Sequence, residues 1–197
     1  MTNLAPNLSF PVYLTASSVL LLAAYIIFRI FVRRDYHRKG KLTLLSTCLE
    51  FLIAFLYFSF PCLYLRPDWW MLRLEEVPPV NRVIGSIGLI IGLVIMLTAM
   101  AGLGFRRACG QEVNILKTSG SYRFSRNPQI TGFALGVIGI FTYWPSWYAV
   151  GWALFYIPIF HMMVLTEEEH LSAVYGEQYE RYCQRVPRYI SFQQRRP

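Results

Sequence analysis

The sequence predicts an all-α, polytopic membrane protein with about five transmembrane helices, the last two forming a hairpin, and a cytoplasmic helical cap at the C-terminus. Three observations carry that prediction. Of the 197 residues, 55% are hydrophobic and only 15% are charged, against about 25% charged in soluble domains. The apolar residues gather into runs long enough to cross a bilayer, which takes ~20 residues of helix. The basic residues stand beside those runs and do not form one face. The net charge of +8 therefore reads as orientation and attraction to anionic headgroups, not as a nucleic-acid surface.

Taken in order, the elements follow from the same logic. Residues 1–9 carry no charge, so no basic segment precedes the first apolar run and no cleaved signal peptide is expected. The first span runs from Phe10 to Val32 and stops at the polar stretch Arg33 to Lys41. A second fits Leu42 to Leu65, interrupted by Glu50 and halted near Pro61. Arg66-Pro67-Asp68-Trp69-Trp70 makes a turn with an aromatic anchor, and the chain stays outside the membrane until Pro79. A third span covers Val80 to Leu103. The run from Gln129 to Thr166 has no acidic or basic residue except His161 and is about twice the length of one span. Trp144-Pro145-Ser146-Trp147 divides it, so it reads as a helical hairpin that leaves one membrane face and returns to it.

This layout makes residues 1–197 one membrane domain, with three helices over 10–103 and a second half, the helical hairpin and the tail, over 104–197. Arg66, Arg73 and Arg82 are the only basic residues on one side; the arginines and lysines at 33–41, 106–126 and the C-terminal tail fall on the other. The positive-inside rule makes the second side cytoplasmic, with the N-terminus outside and the C-terminus inside. Gly85, Gly88 and Gly92 in the third span, and Gly132, Gly136 and Gly139 in the fourth, have the spacing that lets helices approach closely in lipid. Pro158 removes a hydrogen bond from the fifth span and is expected to bend it. The four cysteines make no C-x-x-C pair.

The hairpin brings two polar flanks, Tyr122 to Pro128 and Glu167 to Leu171, to the same side. Glu167-Glu168-Glu169 places three acids at an otherwise basic edge facing an anionic leaflet, so they need a cationic partner: neighbouring arginines or a cationic ligand. Glu50 is a second acid at membrane depth, ~12 Å along its helix from the cytoplasmic end. His37, His161 and His170 are too few and too scattered for a histidine-rich metal site, and no metal is expected. No phosphate-binding glycine loop and no G-x-S-x-G is present; the G-x-G at Gly102–Gly104 is weak by itself.

Four motifs in order carry a resemblance: Gly-x-Tyr-Arg-x-x-Arg-Asn-Pro at 120–128, Glu-Glu-x-x-Leu at 167–171, Tyr-Gly-x-x-Tyr-x-x-Tyr at 175–182 and Arg-Val-Pro at 185–187. Together they resemble the membrane methyltransferases that include isoprenylcysteine carboxyl methyltransferase and the phospholipid methyltransferases. The resemblance covers roughly residues 102 to 190. It implies S-adenosylmethionine as methyl donor, held by Gly102, Gly104, Tyr122, Arg126, Asn127, Pro128, Glu167 and Glu168. Arg126 and Glu167 are the catalytic candidates, and Glu50 and Arg185 the candidates for contact with a lipid or lipophilic acceptor. Either glutamate replaced by glutamine is expected to weaken donor binding more than folding. The prenylcysteine enzymes read Arg-His-Pro-x-Tyr where this chain reads Arg126-Asn127-Pro128-Gln129-Ile130. Carboxylate O-methylation is the favoured reaction, with amine N-methylation of a phospholipid beside it. A nicotinamide-dependent membrane reductase and a non-catalytic membrane scaffold are the alternatives from other classes.

Overall fold

A computed structural model describes residues 9–64, 77–104, 110 and 115–190 of the chain, and all regular structure among them is helical. Six helices follow one another. Helix α1 covers Phe10–Lys39, α2 Leu44–Ser59, α3 Pro79–Leu103, α4 Pro128–Tyr143, α5 Trp147–Tyr175 and α6 Glu177–Arg185. Helices α1, α3 and α5 are long and apolar enough to cross a membrane, whereas α2 and α4 are apolar but have 16 residues each. A short turn of helix, Pro61–Tyr64, prolongs α2 beyond the break at Phe60. The loop with Arg66, Arg73 and the paired tryptophans, and the arginines at 106 and 107, lie outside the described residues.

The first helix does not stop where its apolar span does. It widens into a π-turn over Ile27–Val32 and continues as α-helix over Arg33–Lys39. Gly40 ends it at φ 66°, a left-handed conformation that a residue without Cβ adopts freely. The extra turns put Asp35 in a buried position, where its carboxylate accepts from the Thr43 amide and from the Thr43 and Ser46 hydroxyls. Thr43 in turn caps α2 through Ser46 N at 3.3 Å. One acid thus closes the corner between the first two helices.

The direction of each helix is read from its end contacts. Tyr13 on α1 donates to the Tyr148 carbonyl at 2.8 Å, and at the other end Arg29 and Arg33 reach Glu169, so α1 and α5 run parallel. Tyr57 near the end of α2 meets Trp152 near the start of α5, so those two run antiparallel. Tyr57 and Trp152 are both fully buried, stacked at 5.2 Å, and each donates to the other's carbonyl at 2.9 and 3.0 Å. No buried polar tip of that pair is left without a partner, as an apolar surrounding demands. Around them Tyr156, Phe160, Phe58 and Phe133 complete an aromatic core.

Helices α3 and α4 make a different contact. A Cβ on Gly92 would lie 2.5 Å from the Gly132 carbonyl, and one on Gly139 would lie 2.8 Å from the Gly85 carbonyl. The two backbones touch along an antiparallel glycine seam, which is the close approach that the glycine spacing predicts. The halves of the chain therefore interleave: α3 packs on α4, while α1 and α2 pack on α5. Pro158 sits within α5, exposed, and the helix continues through it.

Candidate functional site

The segment before α4 is held from both sides. Gly120–Arg123 forms one 3-10 turn, and the Tyr122 carbonyl there accepts from Tyr182 of α6 at 2.7 Å. The tail beyond α6 then straps across the start of α4. Arg126 N donates to the Pro187 carbonyl at 2.9 Å, and Asn127 Nδ2 to the Arg188 carbonyl at 3.1 Å. Pro128 follows at the first helical position, where its missing N–H costs nothing. These contacts fix Tyr122, Arg126 and Asn127 against the last turns of α5.

Between them lies a cavity with an empty volume of about 910 Å³ counted to its open mouth. Its wall includes Tyr122, Arg126, Asn127 and Gln129 from the approach to α4, Glu167 and His170 from α5, and Tyr179 and Tyr182 near α6. Tyr36 closes one side, its ring stacked on His170 at 4.1 Å. Six buried polar side-chain atoms have no hydrogen-bond partner among the described residues, and four of them belong to this wall: Arg126 Nε, Gln129 Nε2, His170 Nε2 and Tyr179 Oη. Buried polar groups are ordinarily paired, so their concentration here marks a place where polar contacts from beyond the described residues are called for. Burial, and after it the Glu167 carboxylate, push the Tyr122 hydroxyl above its ordinary range and keep it a donor at neutral pH.

The three consecutive acids have three different surroundings. Glu169 is bound by Arg29 at 2.8 Å and Arg33 at 2.9 Å. Glu168 is 8% exposed and receives Arg188 at 2.7 Å on one oxygen and Arg126 at 3.3 Å on the other. Glu167 lines the cavity and forms no ion pair among the described residues. The groups it acts on electrostatically include the Glu50 carboxyl and the Tyr36 hydroxyl, neither of them a cation. A half-buried acid facing a cavity calls for a cationic group beside it, and the described residues supply none.

The remaining candidates from the sequence are placed as follows. Gly102 and Gly104 end α3 in exposed positions outside the wall, while Leu103 between them lines it. Pro128 is buried and is not part of the wall, although its neighbours Asn127 and Gln129 are. Glu50 is half-buried on α2, behind the wall and close enough to interact with Glu167. Arg185 is exposed on α6 and shares a separate groove with Arg123 and Arg181. Among the described residues no group of His, Cys, Asp or Glu is placed to hold a metal ion.

Sequence reasoning did not single out Tyr36, Gln129 or Tyr179 for this wall. A signal for Tyr36 existed: Arg29, Arg33 and Tyr36 are spaced by four and three, which is one helical face if the first helix continues past Val32.

Comparison with known proteins follows the same residues. A family model described as phospholipid methyltransferase matches residues 80–178, half of the chain, including the motifs at 120–128 and 167–171. Protein-S-isoprenylcysteine O-methyltransferase B of Arabidopsis thaliana is 27% identical over 158 residues, covering 77% of this chain and 73% of that protein. No solved structure matches the chain.

Proposed function

Since the chain belongs to the phospholipid methyltransferase family, we propose that it is an S-adenosylmethionine-dependent methyltransferase acting on a lipophilic acceptor at the cytoplasmic face of the membrane. The observation that carries this reading is the cavity beside Glu167, where an acid has no ion pair and buried polar atoms have no partner among the described residues. When bound, S-adenosylmethionine supplies an electrophilic methyl group on a sulfonium. The residues present fit it. Glu167 offers an acceptor to a sulfonium or ammonium, and Arg126 Nε offers a charged donor to a carboxylate. Gln129, Tyr122 and Tyr179 add neutral hydrogen-bonding groups. Asn127 completes the wall, Pro128 starts the helix between the wall residues Asn127 and Gln129, and Glu168 holds the Arg126 guanidinium. Gly102 and Gly104 leave the end of α3 open at the rim, since a Cβ on either meets nothing within 4 Å. In this reading Tyr182, Leu171 and Met163 exclude water from the reacting atoms.

The favoured acceptor is the carboxylate of an isoprenylcysteine-like molecule, supported by the likeness to a protein-S-isoprenylcysteine O-methyltransferase. A carboxylate attacks without a base, so the chain needs only to orient it and keep the site dry. A phospholipid amine is the second reading, and the description of the family model favours it. An amine must first lose a proton, and Glu167 and His170 stand in the wall where one can be taken up. The cytoplasmic placement rests on the asymmetry of basic residues.

Calorimetry on the full chain in neutral detergent tests the donor. S-adenosylmethionine is expected to bind and NADPH not to; binding of NADPH alone would move the chain to the reductase reading, and binding of neither to a scaffold. Transfer of labelled methyl to a farnesylated cysteine, set against phosphatidylethanolamine, then decides the acceptor.

A further inference from the structure

A second concavity lies outside the cavity just described. Its lining includes Arg123 beside the 3-10 turn, and Arg181 and Arg185 on α6, with Thr118 and Gln178 between. Three arginines thus line one hollow from two separate segments of chain. Arg123 and Arg185 form no ion pair among the described residues, and Arg181 has only Glu177 at 3.4 Å, a pair in which both side chains are largely exposed. Phe124, next to Arg123, is 76% exposed. An exposed phenyl ring next to Arg123, four residues before the apolar helix α4, has the chemistry of the membrane–water interface.

We propose that this groove is a binding site for the phosphate of an anionic phospholipid headgroup, and that its occupancy steadies the wall of the main cavity. Guanidinium groups bind phosphate oxygens in paired hydrogen bonds, and three converging from two segments make a cradle rather than a diffuse charge. The coupling is geometric. Leu116 and Tyr182 line both hollows, and Tyr182 ties α6 to the Tyr122 carbonyl. A headgroup bridging Arg123 to Arg181 and Arg185 clamps α6 against the 3-10 turn from the outer side of the same wall. The inference assumes that this end of the bundle meets an anionic leaflet; it does not assume which acceptor is methylated.

The test is binding, read apart from turnover. Full-length protein in neutral detergent is titrated with a short-chain phosphatidylglycerol, with the short-chain phosphatidylcholine and inorganic phosphate as the other arms. The wild-type chain is expected to prefer phosphatidylglycerol. The combined variant Arg123→Gln, Arg181→Gln, Arg185→Gln is expected to lose roughly a hundredfold in affinity, since each basic residue near an anionic surface contributes about fivefold. A matched variant, Arg34→Gln, Arg38→Gln, Lys41→Gln, removes the same charge from exposed positions elsewhere and is expected to bind as wild type. Equal losses in both variants would show diffuse attraction and overturn the site. So would no preference over phosphatidylcholine, or inorganic phosphate binding as tightly as the lipid. If the triple variant misfolds, Arg185→Glu alone, on an exposed position, is expected to show a smaller loss of the same kind. Failure of S-adenosylmethionine to bind leaves this measurement intact, so the two readings fail separately.

Discussion

Glu167 and Glu168 are consecutive residues, yet they belong to two regions governed by different rules. On one flank of α5, Glu168 is buried among Arg126, Arg188 and Asn127, and every charge meets an opposite one. On the other flank Glu167 faces a cavity with no countercharge among the described residues. A helical step of ~100° separates the two. The first region is an ionic joint that holds the tail and the start of α4 to α5. The second keeps an unmet electrostatic demand, and an unmet demand held in place is what a charged ligand can answer. The acids of one motif therefore differ in role because the helix aims them at different neighbours.

The largest effect is expected where a joint is cut. Glu168→Ala leaves two arginines, one of them largely buried, without their shared anion. Breaking a buried pair on one side costs about 3–5 kcal/mol. Thermal unfolding in detergent should show a strong loss of stability with or without S-adenosylmethionine. A variant that unfolds normally but binds the donor poorly would erase the distinction between the two flanks and place Glu168 in the cofactor site itself.

Arg126 belongs to both regions, and its replacement shows how they connect. Its Nη1 meets Glu168 while its Nε is buried without a partner in the cavity wall. Arg126→Ala should abolish methyl transfer and also lower stability, by less than Glu168→Ala, because Arg188 still neutralises the acid. Charged hydrogen bonds contribute ~1.5–3 kcal/mol each, so losing one to a ligand costs roughly tenfold to a hundredfold in affinity. Turnover near wild type would make Arg126 a purely structural residue.

Much of this was legible in the sequence, and the limits have physical causes. The apolar runs, the Trp144–Trp147 turn and the glycine spacing announce the helices and the α3–α4 seam, because hydropathy and residue size act locally. The ordered motifs announce the family. What periodicity does not reveal is where a helix ends when polar residues can extend it: α1 runs on to Lys39, where Arg33 finds Glu169 and Asp35 finds Thr43 as partners. That hid Tyr36 from the wall of the cavity. The division of labour among Glu167, Glu168 and Glu169 was equally hidden, since it depends on Arg188 and Arg29, which lie 20 and 140 residues away from their partners.

Glu167→Gln should sharpen the contrast, with an effect on binding alone. Folding should be unchanged, since no ion pair is broken among the described residues. Donor affinity should fall roughly tenfold to a hundredfold, the worth of one charged hydrogen bond. S-adenosylhomocysteine lacks the sulfonium charge and keeps the ammonium. A smaller penalty with that analogue assigns Glu167 to the sulfonium, and an equal penalty assigns it to the ammonium. Unchanged affinity for both compounds would sink the cofactor role of Glu167.

The smallest effect is expected at Glu169, the acid that looks most alike in sequence. Its two arginines hold it at 2.8 and 2.9 Å, but the carboxylate is 38% exposed, so water screens the pair. Ion pairs of this kind contribute about 0–1 kcal/mol. Glu169→Gln should therefore lower the unfolding temperature only slightly and leave donor affinity as it was. Arg29 also donates to the Thr166 hydroxyl at 3.0 Å, so the π-turn of α1 stays attached to α5 when the charge is gone. Salt supplies the discriminating measurement. High ionic strength weakens exposed pairs far more than buried ones, so the stability gap between wild type and Glu169→Gln should close in salt while the gap for Glu168→Ala persists. If Glu169→Gln instead weakened donor binding as much as Glu167→Gln, the acids would be acting as one diffuse negative patch, and orientation around α5 would explain nothing.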